Sequence, residues 1–430
     1  MKNIILKKIN FVDNLKFYNI FILYNFLILL LTIFYVYFLL RIVPDYADKN
    51  FNLNVKDLQF FFGPVINNLL ENNSASMIHF NIEHYAARSP LVVYFVFLFY
   101  KYISTNIFFL FIFKNLIFSS IIILIAKKIL KRNSYTFLLV ILPLLIPYNS
   151  FNYLHIVPEE GFLIQLFIIL TLLLFSSFKN KSIYLGITIF IIFFTKASMI
   201  YVCLAFSIFY FFLNIKKNFY PLLFLFLANI IWGSYTYTKT NYFAFGANLL
   251  SINGHAMNYI TNDKFNDIYP KYSLDIIRNE IDDISKNENF TNEWEINEFY
   301  KKKAFKFIKN NKLYYFKGVI LKLKHFFFNI KKDFQFPNND NHDKIRFSNI
   351  PNKIFFFVFM FVSINSFFRH PEKEFKINTF LLLVLISFYL FPYMVAFLNT
   401  RHMSIVHILS QYYLLFYLFD YFKRIKIKNN

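Results

Sequence analysis

The sequence predicts an all-α, polytopic integral membrane protein with about ten transmembrane helices and two large outer-face loops that carry juxtamembrane helices. Hydrophobic residues occupy 57% of the 430 positions and include 64 Phe, which is more apolar surface than a soluble domain could bury. These residues recur in blocks near the ~20 residues that span about 30 Å of hydrocarbon. Basic clusters separate several of the blocks, as is typical of loops between membrane spans.

The apolar blocks predict ten spans along the chain. The first block follows four lysines, but it is too long for the apolar core of a signal peptide, so we expect a retained span. The predicted spans cover roughly 19–42, 105–126, 135–150, 160–178, 182–195, 197–213, 219–236, 353–368, 377–398 and 403–422.

The basic clusters predict the orientation of these spans. They lie at 127–133, 179–181, 216–217, 369–376 and 423–428, and the positive-inside rule assigns such clusters to the cytoplasmic side. Ten crossings then place both termini inside. The net charge of +22 is explained by this orientation, so we expect no nucleic-acid partner.

A short apolar run at Pro90–Tyr100 does not fit as an eleventh span. An extra crossing would move the following basic cluster outside, and about 11 residues give a helix of only ~16 Å. We therefore expect a juxtamembrane helix that lies at the membrane within a first outer loop, 43–104.

The predicted domains follow from these assignments. They are a transmembrane core at 1–236 that includes the first outer loop, a large outer segment at 237–352, and C-terminal membrane helices at 353–430. Within the outer segment, apolar residues and lysines alternate at 314–330 in a pattern that favours a helix on the membrane surface. The single cysteine, Cys203, excludes an internal disulfide framework.

Ionisable residues at the membrane edge are the candidate site. Asp57 lies in the first outer loop, Glu159 and Glu160 precede an apolar span, and Arg88 stands directly before the short helix. Each has an ordinary structural explanation as a helix cap, a partner of the helix dipole or an interfacial cation. Together they would present carboxylates and a guanidinium fork, which suits a phosphate, on one side of the membrane.

The motifs around these residues resemble the membrane glycosyltransferases of the GT-C type. "DLQFFFGPVINNLLENN" resembles their first acidic loop, and "ARSPLVVYF" resembles their element of a basic residue, proline and tyrosine. Five further segments also resemble elements of this family, in the same order along the chain: "FFLFIFKNLIFSSIIILIAKKIL", "PEEGFLIQLFIILTLLLF", "FFTKAS", "FGANLLSINGHAMNYI" and "LNTRHMSIVHILSQYY". Glu159, 102 positions after Asp57, falls where aminoarabinose transferases and protein mannosyltransferases have a second acidic residue. The family's second proline after Pro90 is absent.

The resemblance implies roles for individual residues. Asp57 and Glu159 would be catalytic, and Arg88, Lys196 and Arg401 would bind the donor phosphate. Glu160 and His155 border the same site, and Asp45 or Asp48 competes with Asp57 for the role of base. Asp57 and Glu159 could also hold Mg²⁺ or Mn²⁺ through oxygen ligands, although relatives with and without a metal exist.

The implied function is transfer of a sugar from a polyprenyl-phosphate-linked donor to a glycan, lipid or protein acceptor on the outer face of the membrane. We expect the bacterial inner membrane, with surrounding lipids as further partners and the active site facing the periplasm. The alternatives are a transporter or flippase of lipid-linked saccharides, and an O-antigen polymerase or ligase. The sequence contains no "GxxxxGK" loop and no zinc-ligand spacing, which argues against nucleotide hydrolysis and zinc chemistry.

Overall fold

The computed structural model of the protein is built almost entirely of helices. It describes residues 13, 15–42, 62–79, 82–85, 89–154, 158–245, 290–328, 333–334, 345–346, 350–395 and 400–428. Within these residues, the first half contains ten helices, α1 to α10, and one hairpin, β1–β2. They are α1 Phe17–Ile42, α2 Gly63–Asn72, β1 Met77–His79, β2 Ile82–His84, α3 Pro90–Tyr102, α4 Ile107–Leu130, α5 Asn133–Ile141, α6 Pro147–Leu154, α7 Pro158–Leu174, α8 Lys181–Thr195, α9 Ile200–Leu213 and α10 Tyr220–Thr240.

Among its described residues, the second half adds five helices and another short hairpin. They are α11 Glu293–Asn310, α12 Lys312–Phe328, β3 Asp333–Phe334, β4 Ile345–Arg346, α13 Ile350–Arg369, α14 Lys373–Val395 and α15 Thr400–Lys428. Both hairpins are antiparallel, with Met77 opposite His84 and Asp333 opposite Arg346. The short helix predicted from Pro90 onward is present as α3. Of the helix predicted at 314–330, positions 314–328 belong to α12, and the last two lie outside the described residues.

In the described part of the chain, four helical segments are long and apolar enough to cross a membrane: Phe17–Val36, Phe108–Leu130, Ile350–Arg369 and Lys373–Met394. A fifth span results if the bent pair 133–145 and 147–154 is counted as one. The described residues therefore form a mostly helical membrane protein that contains four or five candidate spans by length and composition. The predicted number of ten spans is not confirmed.

The span predicted at 135–150 corresponds to a bent pair of helical segments. Helix α5 ends at Ile141, a 3-10 turn covers Leu142–Leu145, and α6 leaves at 93° to the preceding helical segment. The cause is a pair of prolines, Pro143 and Pro147, because proline lacks the N–H that continues a helix but is favourable in a first turn. Apolar composition alone could not distinguish this bend from a straight helix.

Several turns that carry basic residues share one end of the helix bundle, called here the basic end. Lys181 in the α7–α8 turn pairs with Glu374 beside the α13–α14 turn at 3.4 Å. Lys128, at the end of α4, lies 5.6 Å from the ring centroid of Phe178 in the α7–α8 turn. His370 of the α13–α14 turn contacts Asp420 near the end of α15 at 3.1 Å. The opposite end, called the loop end, carries α2, β1–β2, α3 and α11.

Candidate functional site

A cluster of two carboxylates and one ammonium lies at the loop end of the bundle. Lys196 Nζ is 3.1 Å from Glu159 Oε2 and 3.5 Å from Glu160 Oε1. Solvent reaches only 9% of the Lys196 side chain, 14% of Glu159 and 9% of Glu160. A buried charge is expensive unless it is paired, so this arrangement is the main electrostatic feature of the loop end among the described residues.

The two carboxylates are positioned by the first turn of α7. Pro158 begins this helix, where its missing N–H would be unsatisfied in any case, and Glu159 and Glu160 follow directly. Carboxylates in a first turn are stabilised by the positive end of the helix dipole and by free backbone N–H groups. The local sequence therefore fixes both acids where α7 emerges from the bundle.

Lys196 is positioned by the break between α8 and α9. Its backbone is extended, with φ −152° and ψ 98°, while its N–H still bonds to the Ile192 carbonyl at 3.0 Å. The Lys196 carbonyl accepts from the Met199 N–H at 2.8 Å and closes a 3-10 turn, Ala197–Met199. The chain thus changes direction at Lys196, and the side chain faces α7.

Two further elements border the cluster. The Ala197 N–H, next to Lys196, donates to Ser89 Oγ at 2.7 Å, and Ser89 is the residue that precedes α3. Near the end of α14, the hydroxyl of Tyr393 interacts electrostatically with Lys196, Glu160 and Glu159. The site is therefore assembled from α3, α7, the α8–α9 turn and α14.

When all three groups are ionised, the cluster carries one net negative charge. Such a site attracts a cation or a hydrogen-bond donor more readily than a phosphate, because Lys196 is already shared between two carboxylates. Within the described part of the chain, no three His, Cys, Asp or Glu side chains come together as a metal site would require. Of the described residues in this cluster, Glu159 and Glu160 are the two carboxylates that could supply oxygen ligands.

A buried polar network lies between α4, the end of α6 and α7, close to the start of α7. It closes the end of α6, whose last carbonyls have no partner within their own helix. The Tyr153 carbonyl accepts from Lys114 Nζ and from Gln165 Nε2, both at 3.3 Å, and the Leu154 carbonyl accepts from Asn115 Nδ2 at 3.2 Å. Gln165 Nε2 also donates to Asn115 Oδ1 at 3.1 Å, so α4 and α7 hold the helix end together.

Two loop-end segments, the β1–β2 hairpin and α11, are joined by a buried contact between a histidine and a carboxylate. His84 Nδ1 of β2 lies 3.4 Å from Glu293 Oε2 of α11, and both side chains are fully buried. The other oxygen of Glu293 accepts from the Tyr85 N–H at 3.0 Å. Beside this pair, hydrogen bonds from Ser76 and Tyr85 lower the pKa of Glu83, while burial raises the pKa of Tyr85 to about 12.

A second polar chain crosses the bundle without touching the charged cluster. Asn149 Nδ2 of α6 donates to Gln411 Oε1 at 2.8 Å, and Gln411 Nε2 donates to Asn352 Oδ1 at 2.7 Å. The next residue, Lys353, is only 5% exposed and holds its ammonium 5.0 Å from the ring centroid of Phe326 in α12. Helix α12 is thereby fastened to α13 and α15.

The sequence-predicted site residues are only partly brought together. Glu159, Glu160 and Lys196 converge as one cluster, in which Lys196 is paired to both acids. Arg401 lies in the first turn of α15, but its side chain is outside the described part of the structure. Four other candidates, as well as Asp48, fall outside the described residues altogether: Asp45, Asp57, Arg88 and His155.

Sequence reasoning missed the residues that support the cluster. Gln165 and Asn115 stand inside apolar spans, and polar residues at such positions are a usable signal because their burial needs partners. Ser89 and Tyr393 gave no comparable signal, since a serine before proline and a tyrosine at a helix end are common. Their importance follows only from the packing.

Comparison with protein-family models, with curated proteins and with solved structures gives no match to this chain. The resemblance to GT-C transferases therefore remains a prediction from the motifs.

Proposed function

We propose that this protein is a GT-C-type membrane glycosyltransferase that moves a sugar from a polyprenyl-phosphate donor to an acceptor. The acceptor would be a glycan, a lipid or a protein on the outer face of a bacterial inner membrane. The proposal also includes ten crossings, with the loop end outside and the basic end in the cytoplasm.

The single observation that carries the proposal is the buried cluster of Glu159, Glu160 and Lys196. A membrane protein keeps ionisable groups at such a position at a cost, and they mark functional sites more often than elsewhere. The hydrogen bond from Ala197 to Ser89 supports a role for the short helix, because Ser89 directly precedes α3 and contacts the turn that carries Lys196.

The proposed chemistry needs one base and one cation. The acceptor oxygen attacks the anomeric carbon while a carboxylate takes its proton, and the bond from that carbon to the lipid phosphate breaks. The phosphate leaves with both bonding electrons, and a guanidinium stabilises its added charge. We assign the base to Asp57, with Asp45 as the alternative, and the phosphate contact to Arg88 and Arg401.

The role that we assign to Lys196 differs from the phosphate-binding role predicted from the sequence. Because its ammonium is shared between Glu159 and Glu160, it holds both carboxylates in place and contributes to donor binding only as part of that cluster. Glu159, the more exposed of the two acids, would orient the acceptor or hold a divalent cation with Asp57.

A transporter or flippase of lipid-linked saccharides is the competing function. Transporters place charged residues and broken helices near the membrane midplane, within related halves. Here the charged cluster lies at one end of the bundle, and the bent pair α5–α6 has no counterpart among the described helices. Both features favour the transferase.

The test is sugar transfer in membranes supplied with a polyprenyl-phosphate sugar. Asp57→Asn keeps the size of the side chain but removes its ability to accept a proton, and loss of a general base lowers rates by about 100-fold to 10,000-fold. We expect that loss at unchanged protein abundance, while Asp45→Asn and Asp48→Asn, which change the two rival candidates, stay near the wild-type rate.

A different pattern would reassign or remove the proposal. An active Asp57→Asn protein beside an inactive Asp45→Asn protein would move the base to Asp45. Full activity in both variants would remove the main support for a transferase. Mass spectrometry of surface polysaccharide, lipid and protein from a strain lacking the gene would identify the acceptor class through a single missing sugar.

A further inference from the structure

A long apolar groove of about 710 Å³ runs along the outside of the bundle between α4, α7 and α8. On α4 it is lined by Phe118, Ile121, Ile125 and Lys128, which follow one another at the spacing of a single helix face. Ten residues of helix correspond to about 15 Å, or half of the ~30 Å hydrocarbon thickness. The groove therefore has the length of one membrane leaflet.

The walls of the groove suit a hydrocarbon chain. Phe162, Leu166, Ile169 and Leu173 of α7 form its floor and are themselves almost fully buried. The rim is open on the side of α4, where Leu124 is 47% exposed. An acyl chain that enters from the bilayer would cover this exposed rim, and no helix would have to move.

The charge of the lining is confined to the basic end. Lys128 and Lys179 are its only charged lining residues, and both side chains reach that end of the groove. Neither ammonium lies within ion-pair distance of a carboxylate among the described residues, whereas neighbouring Lys181 is paired with Glu374 at 3.4 Å. The groove thus combines an apolar channel with two uncompensated positive charges at one mouth.

We propose that this groove binds one anionic phospholipid from the leaflet at the basic end. One acyl chain lies along α4 and α7, and the headgroup phosphate contacts Lys128 and Lys179. Basic pockets between membrane helices on the cytoplasmic side recognise anionic headgroups in this way. The phosphate sits at the opposite end of the bundle from Glu159 and Lys196, so this site does not depend on the proposed transferase function.

The test is native mass spectrometry of the full chain with phosphatidylglycerol and phosphatidylcholine of identical acyl chains. Each lysine near a membrane surface strengthens the binding of an anionic lipid about fivefold, so Lys128→Gln with Lys179→Gln should weaken phosphatidylglycerol binding by about 25-fold. Lys216→Gln with Lys217→Gln removes two exposed lysines from another turn, α9–α10, and should leave binding unchanged.

A groove-filling variant tests the contribution of the acyl chain to binding separately from that of the headgroup. Ile121→Trp with Ile187→Trp, both rim positions, should reduce binding of both lipids because the tryptophans occupy the acyl channel. Equal binding of the two lipids by the wild-type protein would overturn the proposal without any variant. Equal loss in the 128/179 and 216/217 variants would also overturn it, since binding would then reflect only total charge.

Discussion

At the scale of single residues, Lys196 is the side chain on which the candidate site depends. It is the shared partner of Glu159 and Glu160, and each of the three side chains is mostly buried. Two carboxylates this close would repel one another without the intervening ammonium. Lys196 therefore contributes to stability as well as to the proposed reaction.

Replacing Lys196 with methionine should destabilise the protein and abolish activity. Met has a similar shape but no charge, and removing one member of a buried ion pair typically costs about 3–5 kcal/mol. We expect a clearly lower unfolding temperature in detergent. Lys196→Arg, which keeps the charge, should recover most of that temperature.

The double variant Lys196→Met with Glu160→Gln provides the control for this interpretation. It removes one carboxylate along with the ammonium, so its unfolding temperature should lie above that of Lys196→Met alone. Additive losses would show that Lys196 and Glu160 are not energetically coupled, and the three side chains would then not act as one site.

At the scale of elements, the closed end of α6 determines where α7 begins. Lys114, Asn115 and Gln165 all donate to the last carbonyls of α6, and only three residues separate those carbonyls from the start of α7. The network thus connects the middle of the bundle with Glu159 and Glu160.

Gln165→Leu should weaken this network and thereby lower both the unfolding temperature and the transfer activity. It removes hydrogen bonds to the Tyr153 carbonyl and to Asn115, and leaving buried polar groups unsatisfied costs about 1–3 kcal/mol. Thr188→Val is the matched control, because Thr188 bonds only to the Tyr184 carbonyl of its own helix. Thermal unfolding and transfer rate, measured on the same preparations, should fall for Gln165→Leu and change little for the control.

Glu293→Gln should loosen the junction between the two loop-end segments. Glu293 is fully buried against His84 and also accepts from the Tyr85 N–H, so the neutral side chain leaves a weaker contact, by about 1–3 kcal/mol. Proteolysis of α11 under native conditions should become faster. Glu298→Gln breaks only an exposed pair with Lys301 and should not alter the cleavage rate. Equal rates in the two variants would argue against this junction.

The helices and the site differ in how well the sequence could predict them. Apolar blocks located most helices because each block satisfies its own backbone in lipid, whatever its neighbours are. The bend between α5 and α6 follows Pro143 and Pro147, which the sequence shows, whereas the pairing of Lys196 with Glu160 joins residues 36 positions apart. Local patterns carry no information about such contacts, so convergence of the site required the fold.

At the scale of the whole molecule, the shared location of the basic turns makes the orientation testable. Asn180 lies at the basic end and Asn67 on an exposed face of α2 at the loop end, so single cysteines at these positions should respond oppositely to a membrane-impermeant thiol reagent. We expect Asn67→Cys and Asn310→Cys to react in intact cells, and Asn180→Cys and Lys217→Cys to react only after permeabilisation. Cys203 is buried and should give little background. Labelling of Asn180→Cys in intact cells would reverse the orientation and put the carboxylate cluster on the cytoplasmic side, where a periplasmic polyprenyl-phosphate donor could not reach it.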